Sequence, residues 1–137
     1  MRVELLNGGN LAYIGDAYYE LEVRKYLISK EITNLNKLHK LATNYVSATG
    51  HNKIMNILID KLTEEEFNIY KRGRNHKVHS ARKNVKQDEY FASSGFESVI
   101  GYLYLMGNFA RLDEIISLSI KIIEGNYEWI NLWYKFS

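Results

Sequence analysis

The stretch LAYIGDAYYELEVRKYL, Leu11 to Leu27, decides the fold. At about 100° per residue, Leu11, Ile14, Tyr18 and Leu21 form one stripe, while Ala12, Tyr19, Val23 and Leu27 flank the opposite side. A helix apolar on almost every side belongs inside a protein. Asp16 in its middle, with Glu20 one turn later, is therefore an anomaly. A buried unpaired charge costs more than packing returns, so Asp16 must lose its charge or gain a basic partner, a helix end or a metal ion.

Outward from this stretch, every readable element is helical. Asn10 reads as the cap of a helix from Leu11 to about Ser29, and Thr33 or Asn34 as the start of the next. Leu35, Leu38, Leu41, Ala42, Tyr45 and Val46 recur at three- and four-residue spacing, which predicts an amphipathic core helix. Gly50 marks a break or a tight join, after which Ile54, Met55, Leu58, Ile59 and Leu62 continue the pattern. Thr63 and Glu66 have capping-box spacing, and the helix they open is expected to reach Tyr70 and end near Gly73. SGFESVIGYLYLMGN predicts a nearly all-apolar helix that Gly107 stops, and a last helix spans about Ala110 to Glu124. There is no alternating strand series. The expectation is an all-α protein of about five or six helices in one domain over residues 1–137, with the aromatic-rich 125–137 as a candidate C-terminal extension that packs as a cap or meets a partner.

With 137 residues and 46% hydrophobic content, one domain can bury roughly two-thirds of its unfolded surface. The absence of cysteine excludes disulfides and thiolate metal sites. No charged-then-apolar leader and no long apolar run is seen, so a soluble protein, cytoplasmic or of an organelle matrix and without a membrane partner, is expected. The formal net charge of +2 hides strong polarisation. Between Lys71 and Lys86 lie Lys71, Arg72, Arg74, Lys77, Arg82, Lys83 and Lys86 with no acid among them, which forms an anion-attracting patch or a solvated charge run.

Glu97 repeats the Asp16 anomaly as a solitary acid in an apolar helix. Two readings stand: Ser94 and Glu97 form a capping box and Asp16 an ion pair, or the two acids meet across a helix crossing. In the second case their oxygens suit Mg²⁺, which activates water beside an anionic phosphodiester that the basic run positions through its phosphates. The four histidines show no zinc spacing and read as solvent-facing or hydrogen-bonded.

The blocks LAYIGDAYYELEVR, LHKLATNYVSA, EEEFNIYKRGRN and GFESVIGYLYL, in this order, resemble Mini-ribonuclease III, the short branch of the ribonuclease III family. The resemblance covers about residues 10 to 124. It implies a homodimeric all-α endoribonuclease domain that cleaves double-stranded RNA with Mg²⁺, with Mn²⁺ as a substitute, without the separate double-stranded-RNA-binding domain of longer relatives. Asp16 matches the aspartate of the family's GDA block and Glu97 the glutamate of its FEA block, which makes them the implied catalytic and metal-binding pair. Glu20 is an implied outer contributor. Where longer relatives carry further acids, this chain has Gly9, Ala12 and Ser94. Arg72, Arg74 and Asn75 of RGRN, with Lys77 and Lys83, match the implied RNA-binding residues. HSARKN lacks the proline often found before KN, and SATGHN, residues 47–52, departs from the usual SAKxQA. Precursor of large-subunit ribosomal RNA is the implied substrate. The alternative is a noncatalytic RNA-binding or ribosome-assembly module that keeps the fold.

Overall fold

A computed structural model describes residues 1–78 and 87–125, leaving aside the side chains of residues 77 and 78. The Lys77 side chain, Lys83 and the aromatic segment 126–137 thus lie outside the described residues. Six α-helices run α1 (Gly8–Ser29), α2 (Leu35–Val46), α3 (Ala48–Leu58), α4 (Glu64–Val78), α5 (Gln87–Leu105) and α6 (Phe109–Ile123), with 3₁₀ turns at Val3–Leu5 and Ile59–Lys61. No strand occurs among the described residues, and no described helix is long and apolar enough to cross a membrane.

The all-apolar expectation holds best for α5, where Phe96, Val99, Ile100 and Leu103 are buried on different sides of the helix. Around it pack α1, α3 and α4, with α6 closing the core through Leu112, Ile115 and Ile116. The contact between α1 and α5 is the closest. A Cβ added to Gly15 would lie 1.7 Å from the Glu97 carbonyl oxygen, and one added to Gly101 would lie 1.9 Å from the Leu11 carbonyl oxygen. Only two glycines facing each other's helix backbone permit this approach.

Several expectations are corrected. α1 begins earlier than Leu11: Asn7 is the cap, accepting from Asn10 N–H at 2.8 Å while the Asn10 side chain accepts from Asn7 N–H at 3.3 Å. Nor is α1 enclosed, since Tyr13, Asp16, Ala17 and Leu21 face solvent while Leu11, Tyr19, Val23 and Leu27 are buried. In α2 only Tyr45 is buried and Leu35 is exposed, so this helix covers the core's edge. The α2–α3 break falls at Ser47, which accepts from Gly50 N–H, and Gly50 itself sits inside α3 against the Asn44 carbonyl. Gly73 does not end α4. It is buried in mid-helix, where a Cβ would meet Ser98 Oγ of α5 at 2.1 Å, and the first basic residues therefore stand on a helix whose negative C-terminal dipole end they complement. Ser94 and Glu97 are no capping box, because α5 starts at Gln87 and Asp88 and Glu89 already supply acid to its first turn.

Other expectations stand. Asn34 caps α2, and Thr63 and Glu66 cap α4 reciprocally at 2.9 and 3.1 Å. The nearly fully buried Glu66 also receives two 2.9 Å bonds from Arg111, tying α4 to α6. Burial alone would raise its pKa, but Arg111 and the Thr63 bonds outweigh this and hold it below the usual range. Gly107, with φ of 73°, stops the chain after α5 as expected.

Gly15→Ala separates two opposing effects. Helix propensity favours alanine by about 1 kcal/mol, whereas a methyl group pressed on backbone cannot escape by changing rotamer. Overpacking of this kind costs roughly 1–3 kcal/mol or more. Urea denaturation is expected to show net destabilisation, and a gain in stability would refute the tight crossing.

Candidate active site

The α1–α5 crossing that the glycines permit also brings together two carboxylates. Asp16 follows Gly15 directly, and Glu97 supplies the carbonyl that Gly15 touches. Their side chains come within reach of each other. They open onto a cleft of about 400 Å³ lined by Gly9, Ala12, Tyr13, Asp16, His76, Tyr90, Ser94 and Glu97. The three positions at which longer relatives carry further acids, Gly9, Ala12 and Ser94, all line this cleft, so their small side chains leave space beside the pair.

The two acids differ in surroundings. Asp16 stands at the mouth, with an exposed side chain that nonetheless loses some of its water to the cleft walls. That desolvation and the nearby Glu20 charge raise its pKa, and proximity to Glu97 offsets this only in part. Glu20 is half-buried and pairs with Arg24 at 3.3 Å. Glu97 is deeper, its side chain 18% exposed. It accepts from the Ser93 hydroxyl at 3.1 Å, and Ser93 in turn meets His51 Nδ1 at 2.7 Å. His51 is 1% exposed, and burial pushes its pKa down to about 4, so the ring is neutral.

A divalent cation preferring hard oxygen ligands fits this donor set: two carboxylates from rigid helices, with open volume for waters and substrate oxygens. Among the described residues no group of three or more His, Asp or Glu side chains forms a fuller metal cage.

The RGRN residues lie along the end of α4 beside the cleft that His76 enters. Arg72 donates from Nη1 to the carbonyls of Glu4 and Leu6 at 3.1 and 3.0 Å, anchoring the N-terminal turn and leaving its other donors for a ligand. Arg74 lies 5.8 Å from the Tyr70 ring centroid and donates to Asn75 Oδ1 at 3.4 Å. Asn75 is exposed. Residue-by-residue reading did not single out Tyr13, His76, Tyr90, Ser93 or His51 for the site. The four-residue interval from Ser93 to Glu97 was a signal for one of them, because it places both on one helix face.

The Ribonuclease III domain family matches residues 9–108. The chain is 44% identical over 125 residues to Mini-ribonuclease 3 of Streptococcus pneumoniae, covering 90% of this chain and 98% of the relative. It is 48% identical over 118 residues to Mini-ribonuclease 3 of Enterococcus faecalis, covering 85% and 89%. A crystal structure of a protein from Fusobacterium nucleatum superposes with a TM-score of 0.73 at 33% identity, covering 85% of this chain and 93% of that one.

The raised Asp16 pKa has a definite sign. A carboxyl group whose folded pKa lies above its ordinary 3.8 stabilises the fold below that value and loses the contribution as pH rises through the folded pKa. In metal-free protein, Asp16→Asn is expected to raise the melting temperature relative to the parent by an amount that grows from acid toward neutral pH. A difference that shrinks along that path would contradict the raised pKa.

Proposed function

The chain belongs to the ribonuclease III family, in its Mini-ribonuclease 3 branch, and from that premise we propose that it is a Mg²⁺-dependent endoribonuclease hydrolysing phosphodiesters of double-stranded RNA. The observation that carries this reading is the pair Asp16 and Glu97, set on crossing helices in one cleft beside a basic helix end. When bound, Mg²⁺, or Mn²⁺ in its place, offsets charge on phosphate oxygens and acidifies the attacking water. Asp16 and Glu97, each carried on a helix, would hold the ion. Tyr13, Tyr90 and His76 line the cleft beside the two acids.

Arg74 and Asn75, together with the free donors of Arg72, hold the RNA backbone, and Lys77 and Lys83 extend this track by the resemblance. A-form RNA is recognised by shape, phosphates and 2′-hydroxyls, which suits a basic helix end better than a base-reading groove. By the resemblance, the substrate proposed is precursor of large-subunit ribosomal RNA, and the location proposed is the cytoplasm. A homodimer is supported by Tyr13, Ala17, Leu21 and Ile28 on α1, an exposed, mostly apolar stripe beside Asp16 in which Tyr13 is 80% exposed. Two copies joined there give one cleft for each RNA strand.

End-labelled duplex RNA with Mg²⁺ provides the test. The parent is expected to cut, and folded Asp16→Asn and Glu97→Gln to lose cleavage by several orders of magnitude while still binding duplex. Binding without cleavage by the parent under Mg²⁺ or Mn²⁺ would support a noncatalytic RNA-binding module instead, for which the Gly9, Ala12 and Ser94 replacements are the specific grounds.

Arg74→Ala is expected to weaken duplex binding and flatten the slope of log affinity against log salt by about 0.7–0.9. An unchanged slope would remove Arg74 from the phosphate contacts.

A further inference from the structure

Building on the assignment of Asp16 and Glu97 as the catalytic pair, we propose that Ser93 and His51 are positioning residues that fix the orientation of the Glu97 carboxylate. The His51 Nδ1–H group donates to the Ser93 hydroxyl, and the Ser93 O–H group donates to Glu97 Oε1.

Proton counting sets the direction of this chain. Ser93 lies 2.7 Å from His51 Nδ1 and 3.1 Å from Glu97 Oε1, and a hydroxyl has a single proton to give. Given to an ionised Glu97, that proton leaves the Ser93 oxygen free to accept, so His51 must donate from Nδ1. The reverse arrangement would set hydroxyl lone pairs against a carboxylate. The other ring nitrogen gives an independent reason for the same tautomer. Nε2 is buried and has no hydrogen-bond partner. A proton there would be an unsatisfied buried donor, which is costlier than a bare acceptor in an apolar setting. One tautomer therefore meets both demands.

Packing leaves the ring little freedom to choose otherwise. Tyr19 of α1 meets it edge-on at 5.3 Å and Phe96 of α5 at 4.8 Å. The imidazole is thus wedged between the same two helices whose crossing makes the cleft. Glu97 is reached from behind by a neutral, preorganised donor. With Oε1 engaged by Ser93, the carboxylate is held in one rotamer before any ion arrives, and less freedom is lost when one does.

The test uses the full chain, first without metal. Two-bond ¹H–¹⁵N correlation of imidazole-labelled protein at neutral pH, with His51 assigned by its loss in His51→Gln, is expected to show the proton on Nδ1. A proton on Nε2 overturns the chain. Mn²⁺ titration followed by electron paramagnetic resonance then reads the consequence. Ser93→Ala is expected to weaken Mn²⁺ binding and lower kcat by about 10-fold, with KM for duplex RNA unchanged. Ser93→Thr, which keeps the hydroxyl, is expected to restore both. At His51, glutamine is expected to serve through its amide N–H, and leucine is not. Folded Ser93→Ala with parental Mn²⁺ affinity and kcat overturns the positioning role. A parent that neither binds Mn²⁺ nor cuts duplex RNA overturns the catalytic assignment and the role given to Ser93 with it, while the tautomer still decides the hydrogen-bond chain.

Discussion

The close passage of α1 over α5 is the constraint on which everything else depends. Gly15 lies against the Glu97 carbonyl and Gly101 against the Leu11 carbonyl, which brings the two helix backbones into direct contact. Side chains usually hold helix axes 8–10 Å apart, and glycine removes that spacer. The residues next to the glycines inherit the precision of the contact. Asp16 is one of them, and Glu97 is another. Neither carboxylate rides on a loop, and their separation is set by main chain.

This placement carries an electrostatic cost. Two acids of like charge face one cleft, and Asp16 feels Glu20 as well as partial desolvation. Elsewhere the molecule pairs its acids well. Glu66 is clasped by Arg111, and Glu124 receives the Tyr26 and Tyr45 hydroxyls and the Lys30 ammonium group, gathering α1, α2 and the end of α6. Acids outside the cleft thus stabilise the fold, while those inside it are held in tension. Asp16, raised by desolvation and a neighbouring like charge, carries a common mark of a functional site.

The helical class, the number of helices and the family were legible because apolar period and four sequence blocks survive without tertiary context. Asp16 and Glu97 stood out as acids in apolar-looking helices, and the structure brings them into one cleft, although Asp16 lies on a solvent-facing side of α1 and not in an enclosed one. Helix ends were less so, and the errors share a cause. Glycine closes helices, as Gly107 does, and it also admits neighbouring helices, as Gly50 and Gly73 do. Local sequence does not separate these uses. Ser94 and Glu97 imitated a capping box for a similar reason, since four-residue spacing occurs throughout a helix. The exposed side of α1 was misread because Tyr13 and Leu21 are apolar yet turned outward. The link from His51 to Glu97 was hidden altogether, because residues 51 and 93 meet only when α3 packs on α5.

The contact between α1 and α5 also joins residues from opposite ends of the domain's sequence. Neither helix alone carries both acids, and the segment from α2 to α4 must be synthesised before the second acid exists. Pairings this distant along the chain close late, because loop entropy is lost before their contacts form. In a chain made from its N-terminus, the cleft between Asp16 and Glu97 therefore cannot form until α5 has been synthesised and packed on α1.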